Sequence, residues 1–252
     1  MTLAPAVLHA QWFTTLWSTA VGAFVGAVAA FLIDWQRRAR EEKRRRIAAA
    51  NVALLTLYNM WWVLYTFESH IVRPVVGQRD HPLPLWLRMK PAVRPAPSLE
   101  FDIPALVFLL HSREPALLPR LILQQQRYRD HVAAVATQNA AIGRARERMS
   151  ARGIGRERYG TDAELAEAVG IQVVGELRTI TAAVIPALYD SLEDMAKAYG
   201  ELLSAVRREL GPKNITAFEL EQTKLVEALK PSPKEWVQAA VVESNEWPRR
   251  AG

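Results

Sequence analysis

Residues 12–33 read WFTTLWSTAVGAFVGAVAAFLI, from Trp12 to Ile33, and how this stretch is read decides the rest of the chain. It holds 22 residues and no ionisable side chain. As an α-helix it is about 33 Å long, against a bilayer hydrocarbon core of about 30 Å. A secretory signal is the rival reading. It requires a basic start, a shorter apolar run and a small-residue cleavage site. No Lys or Arg precedes Trp12, and the apolar run is too long. Trp12 and Trp17 at one end and Trp35 at the other suit the aromatic belts of a membrane interface. The stretch is therefore expected to be an uncleaved transmembrane anchor.

The charges just behind it set an expected orientation. Arg37, Arg38, Arg40, Lys43, Arg44, Arg45 and Arg46 form a collar facing lipid headgroups, diluted by Asp34, Glu41 and Glu42 to a net of +4. By the positive-inside rule the N-terminus lies outside and the body in the cytoplasm, at an inner (plasma) membrane. The whole chain has a net charge of +6, so residues 47–252 contribute only +2. The excess that could be taken for nucleic-acid affinity sits at the membrane edge, and nucleic acid is disfavoured as a partner. Within the span, Ser18, Gly22, Gly26 and Ala30 recur every four residues and line one ridge. Such ridges let two backbones approach in lipid, so self-association through the span is expected. This outline of short stub, one span and basic collar resembles the layout of many bacterial membrane proteins, and a layout implies no activity.

Ile47 to Phe67 is a second uncharged stretch, of 21 residues. Its polar members Asn51, Thr56, Asn59 and Thr66 fall at about 0°, 140°, 80° and 60° around a helix. That arc predicts one wetter face on a buried core helix, in preference to a second span. A transmembrane hairpin here would export everything after Phe67. Pro74, Pro82, Pro84, Pro91, Pro95 and Pro97 then predict an extended connector without regular helix. Asp102 with Pro104 marks a helix start, and Glu114-Pro115 opens a long helix. Along it Leu121, Gln125, Tyr128, Val132, Val135, Asn139, Ile142, Arg146 and Met149 keep a heptad beat. Thr161 and Glu164 have capping-box spacing and open a second long helix. Its stripe runs Leu165, Val169, Val173, Leu177, Ile180, Val184, Leu188, Leu192, Met195, Tyr199, Leu202 and Val206. Pro186 is expected to kink it, and Gly211-Pro212 ends it. A last helix is expected near Ala217 to Leu229.

The expected class is all-α: an N-terminal transmembrane helix followed by a cytoplasmic helical bundle containing a long antiparallel helix hairpin. The expected divisions are an outer stub and anchor (1–35), a collar with the first helix of the body (36–73), a proline-rich connector (74–100), the bundle (101–230) and a flexible tail (231–252).

Candidate chemistry is sparse. The chain has no cysteine, which removes disulfides, thiolate metal sites and cysteine nucleophiles. His9, His70, His81, His111 and His131 include no pair at metal-ligand spacing, so no metal is expected. Gly155 to Thr161 has the glycine spacing of a phosphate loop but lacks its lysine, and no cofactor is expected. Asp130-His131 reads as a solvated helix face. Arg144, Arg146, Arg148, Arg152, Arg156 and Arg158 cluster near the hairpin tip, where a soluble helix end is favoured over an anion-binding patch. No catalytic motif appears. The leading expectation is a membrane-tethered interaction, scaffold or sensor module that self-associates and docks an unidentified protein partner. The alternative is a membrane-perturbing effector of toxin or defence type whose oligomerised helices permeabilise the bilayer.

Overall fold

The computed structural model describes residues 6–76, 85–92, 96–153 and 162–215. Among the described residues every regular element is helical, and no strand forms. The elements in order are α1 (Ala6–Phe67), a π-helical turn (Glu68–Val72), α2 (Arg73–Val76), α3 (Leu85–Arg88), α4 (Ile103–Leu106), a 3-10 turn (Val107–His111), α5 (Leu117–Ala151), α6 (Asp162–Val169), α7 (Ile171–Leu210) and a closing 3-10 turn (Pro212–Asn214). The chain divides into two compact units, Met1–Ala48 and Ala49–Gly252. Among the described residues of the first no side chain is buried, and from Val21 to Trp35 every residue is exposed.

The second unit is a helical bundle whose centre is the contact between α5 and α7. Ion pairs run along that contact: Arg208 with Glu114, just ahead of α5, at 3.0 Å, Arg120 with Glu201, Arg127 with Asp194, and Arg144 with Glu176 at 2.7 Å. As the number rises along α5 it falls along α7, so the two helices run in opposite directions. Exposed pairs of this kind add little stability individually; the packing beneath them does more. The glycine-bearing loop expected to join the long helices lies outside the described residues, as do the capping Thr161, the phosphate-loop spacing, the helix near 217–229 and the tail.

In α7 the expected stripe is buried at Val173, Leu177, Val184, Leu188, Leu192, Met195, Tyr199, Leu202 and Val206, with Ile180 only half-buried. Val169 is buried too, but on a separate helix. The single second helix expected from Thr161 onward is broken at Gly170, which adopts φ +92°. Side chains rarely tolerate that conformation, and it ends α6 before α7 begins. A Cβ at Gly170 would also lie 2.5 Å from the Arg148 guanidinium, which donates to the Val169 carbonyl at 2.6 Å. Gly211, at φ +91°, closes α7 where the glycine-proline signal placed the end.

In α5 the heptad beat is present but half of it faces elsewhere. The residues buried along α5 include Leu121, Gln124, Tyr128, His131, Gln138, Ile142, Ala145 and Met149. Gln124, His131 and Gln138, seven apart, hold positions the apolar pattern had given to Gln125, Val132 and Asn139. The displaced polar residues are occupied with the connector. Asn139 clasps Ala92 through both its amide atoms, at 3.0 and 3.2 Å. Tyr128 donates to the Pro97 carbonyl at 2.7 Å, and Gln125 accepts from the Phe101 amide at 2.7 Å. Arg129 pairs with Glu100 at 2.7 Å.

The end of the connector is thus a strap laid along α5, held by side chains because its prolines offer few backbone donors. Contrary to expectation, the connector is not free of helix: α2 (Arg73–Val76) carries helix through Pro74 and buries Val75 and Val76, and a further turn at Leu85–Arg88, in the gap between Pro84 and Pro91, buries Leu85 and Trp86. Asp102 caps α4 by accepting from the Ala105 amide at 3.2 Å, with Pro104 in the first turn.

Candidate functional site

The span residues are placed on α1. Gly22, Gly26 and Ala30 are exposed, and a Cβ added at Gly22 or Gly26 would meet nothing within 4 Å. The side chain of Ser18 lies outside what is described. Around the ridge, Trp17, Val21, Phe24, Val25, Val28, Phe31, Leu32, Ile33 and Trp35 are between 41 and 71% exposed. The collar follows without a break in the helix. Arg37 pairs with Glu41 at 3.1 Å, Arg38 with Asp34 at 2.7 Å and Arg46 with Glu42 at 2.9 Å, all one helical turn apart. These contacts absorb the collar's three acids. Among the described residues no carboxylate pairs with Arg40, Lys43, Arg44 or Arg45, and all four are exposed. Four unneutralised cations within six residues attract an anionic surface by about 1 kcal/mol each.

Within the second unit, residues 49–67 of α1 bury Ala50, Ala53, Leu54, Leu57, Met60, Trp61 and Leu64. The opposite arc was expected to be wet. It instead interleaves its polar residues with Val52, Leu55 and Trp62, all exposed. Aromatic rings run along this stretch. Tyr58 stacks on Trp62 at 6.2 Å, Trp61 on Tyr65 at 4.9 Å, and the Arg73 guanidinium lies 5.8 Å from the Tyr65 ring centre.

Where α1 ends, the π-helical turn rotates Glu68 into the bundle, almost fully buried. Turns of this type insert one extra residue per turn and redirect a side chain. Arg73 binds the Glu68 carboxylate through two nitrogens, at 3.0 and 2.6 Å, and Tyr189 of α7 donates to it at 2.9 Å. The bond to Glu68 raises the Arg73 pKa above its ordinary value, outweighing the opposite effect of partial burial. The clamp ties the exit of α1 to the middle of α7. Glu68 was not singled out by sequence; the signal available was a lone acid closing an uncharged run of 21 residues.

Asp130-His131 corrects an expectation. Asp130 is exposed as expected, whereas His131 is buried between α5 and α7. Its Nε2 lies 3.0 Å from the Ala187 carbonyl and 2.8 Å from Ser191 Oγ. Desolvation lowers its pKa below the ordinary value; the Ala187 carbonyl and Asp130 act in the opposite sense, and Arg127 adds to the lowering. Both side chains are closed to solvent, so the bond serves to satisfy two polar groups inside apolar packing. One level along, Gln138 donates to Thr181 Oγ1 at 3.2 Å and approaches Met89 Sδ at 3.2 Å.

The basic cluster near the end of α5 is largely engaged within the bundle. Arg144 reaches both oxygens of Glu176, Arg148 donates to the Val169 carbonyl, and Arg152 lies 3.9 Å from Glu167. Arg156 and Arg158 lie outside the described residues. No group of three potential metal ligands occurs among the described residues.

Among the described residues two helical stretches are long and apolar enough, by length and composition, to cross a membrane: Ala20–Val76, which contains most of α1, and Ile171–Leu210, which is α7. No protein-family model matches the chain, and comparison with curated proteins and solved structures gives no match either.

Proposed function

We propose that this protein is a single-pass, membrane-anchored helical module whose span associates with copies of itself and whose body, on the cytoplasmic side, docks a protein partner as a scaffold or sensor. The observation that carries the reading is the uncovered apolar surface of α1 between Trp17 and Trp35. Removing one large apolar side chain fully from water is worth about 1.5–3 kcal/mol, so nine half-exposed ones supply on the order of 10 kcal/mol for entering a bilayer. A water-soluble monomer does not sustain a patch of this kind.

Of the two candidate stretches, α7 is better placed in the bundle. Its stripe is covered by α5, and its charges Glu176, Asp194, Glu201 and Arg208 are matched there. The four unpaired collar cations support the cytoplasmic orientation of the body. The antiparallel pairing of α5 and α7 fits the hairpin as its rigid core. The reading is non-enzymatic, because the His131–Ser191 pair is sealed from substrate and sits mid-helix, where backbone amides are already engaged.

Reporter fusions after residue 46, after residue 90 and at the C-terminus test the topology. All three are expected to report cytoplasm; a switch after the first would overturn the single-span reading. For the span, Gly22→Ile with Gly26→Ile is expected to abolish the signal of a membrane-dimerisation reporter, and an unchanged signal would remove that interface. The second reading, a leak-forming effector, draws on α7 as a second helix of sufficient length. It predicts rapid depolarisation of a membrane-potential dye on overexpression, whereas the module reading predicts none.

A further inference from the structure

We propose that Val52, Leu55, Asn59, Trp62 and Thr66 form the seam of a parallel, in-register coiled coil with a second copy of this chain. The proposal rests on the self-association reading above and adds to it an interface in the body.

The five residues follow one another at spacings of three, four, three and four, the beat of a coiled-coil seam, on the side of α1 that the bundle leaves open. Val52 is 56% exposed, Leu55 40% and Trp62 50%; Asn59 is half-buried and Thr66 exposed. The spacing assigns Val52, Asn59 and Thr66 to the a positions and Leu55 and Trp62 to the d positions. A β-branched residue at a with Leu at d favours two strands. A single Asn at a favours a parallel, in-register pair, in which the two amides meet each other. The Thr66 hydroxyl is already used, donating to the Trp62 carbonyl at 2.8 Å, so its methyl group is what the seam receives.

Charge points to the same occupant. The residues flanking the seam are Ala49, Asn51, Thr56, Tyr58, Val63 and Tyr65, none of them charged. Between residues 49 and 66 two copies therefore meet without like-charge repulsion, and the collar cations that precede this stretch are left to the anionic surface, while a charged partner finds nothing in the seam to pair with. Lipid is a poorer cover, because Asn59 in hydrocarbon would need a polar partner.

Area sets the strength. Trp62 offers on the order of 100 Å², and the five residues together offer about 300–400 Å² per chain. A stable interface between free proteins uses about 800 Å² per partner. The seam therefore does not hold two free bodies together; it closes when a parallel tether raises the effective concentration to about the millimolar range. A membrane anchor on the same helix supplies such a tether.

The chain has no native cysteine, so single cysteines can be read one at a time in the full-length protein in native membranes. Under mild oxidation, Val52→Cys and Asn59→Cys are expected to form disulfide-linked dimers at least tenfold more than Met60→Cys, whose native side chain is fully buried. Gly26→Cys reports the span. Cross-linking at 26 without any at 52 and 59 overturns the seam and leaves span association standing. No cross-link at any position removes both. Cysteines at 52 and 59 that neither cross-link nor react with a water-soluble maleimide place lipid or another protein on this face, and overturn the proposal. As a measurement independent of cysteine, Asn59→Lys, which sets two cations against each other in the seam, is expected to lower the dimer fraction in mild detergent at least tenfold. Its helical content is expected to be unchanged. An unaltered dimer fraction would refute the seam.

Discussion

Acid should loosen the bundle at one identifiable place. His131 is the one buried imidazole among the described residues, held between Ala187 and Ser191 of α7. Burial disfavours its charged form, so its pKa in the folded protein lies below the ordinary 6.5. The unfolded chain therefore binds a proton first as the pH falls. Stability from this group is fully present above about pH 6.5 and drains away below it, by up to about 1.4 kcal/mol per pH unit, until the folded imidazole itself takes up the proton. The charged neighbours do not reverse the sign. Asp130 favours the proton, Arg127 opposes it, and Arg127 is itself paired with Asp194 across the interface.

The assay is urea unfolding of the full-length chain in mild detergent, followed by far-ultraviolet circular dichroism at pH 7.5, 6.5 and 5.5. His131→Gln keeps a polar group that reaches the same partners but cannot titrate. It is expected to be less stable than the native chain by about 1–2 kcal/mol at pH 7.5. By pH 5.5 that gap should have narrowed, because only the native chain carries the imidazole whose protonation favours unfolding. Ser191→Ala separates the two contributions to the imidazole's environment. Desolvation is the dominant cause, so removing the hydroxyl should cost about 1 kcal/mol and leave the pH slope intact. A gap between the native chain and His131→Gln that stays constant from pH 7.5 to 5.5 would refute the reasoning.

Three further outcomes follow from particular contacts. Arg73→Met leaves a Glu68 side chain only 2% exposed with the Tyr189 hydroxyl but no counter-charge, whereas Glu68→Gln leaves an arginine 48% exposed and free to hydrate. The first is therefore expected to cost about 3 kcal/mol and the second about 1 kcal/mol in urea unfolding, with the double variant more stable than Arg73→Met alone. Equal costs would show that the clamp does not depend on burial. Gly170→Ala meets both a positive φ and the Arg148 guanidinium, and should lower stability by about 2 kcal/mol. Gly200→Ala, mid-helix with nothing within 4 Å, should raise it by about 0.5–1 kcal/mol, and the pair of signs is the check in thermal unfolding. Asn139→Ala frees the strap at one point only. Hydrogen exchange at the Ala92 amide should accelerate at least tenfold while the Phe101 amide, held by Gln125, keeps its rate.

The class of fold was legible in the sequence because helical signals are local. Asp102 capping α4, Gly211 ending α7 and the buried stripe of α7 each depend on residues a few positions apart. What failed to show depended on a partner distant in sequence. Gly170 looked like one more residue of a helix, since nothing nearby reveals that Arg148 lies against it. The arc of α1 holding Asn51, Thr56, Asn59 and Thr66 reads as wet from its polar members alone. Exposure at Val52, Leu55 and Trp62 emerges only once the bundle has taken the other face.

The sharpest case is α5, where apolar periodicity favours Val132 over His131 and gives no reason to place Gln124 or Gln138 in the core. Hydrophobicity scales assign a polar side chain a fixed cost of burial, but that cost depends on whether a partner is waiting. Ser191 and the Ala187 carbonyl wait for His131, and Thr181 waits for Gln138, on a helix some fifty residues further along. The two stripes also interleave. Gln125, Tyr128 and Asn139 keep the heptad beat because the strap they hold runs along the same helix as α7 does. A single helix packed on two sides carries two superposed periodic signals, and a one-stripe reading returns a mixture of both. The separating clue was the spacing of seven from Gln124 to His131 to Gln138. At two of those three levels α7 answers with a polar side chain, Ser191 for His131 and Thr181 for Gln138, while the Gln124 Oε1 is buried without a partner, so the period of seven marks the buried face of α5 and only in part a matching polar face on α7.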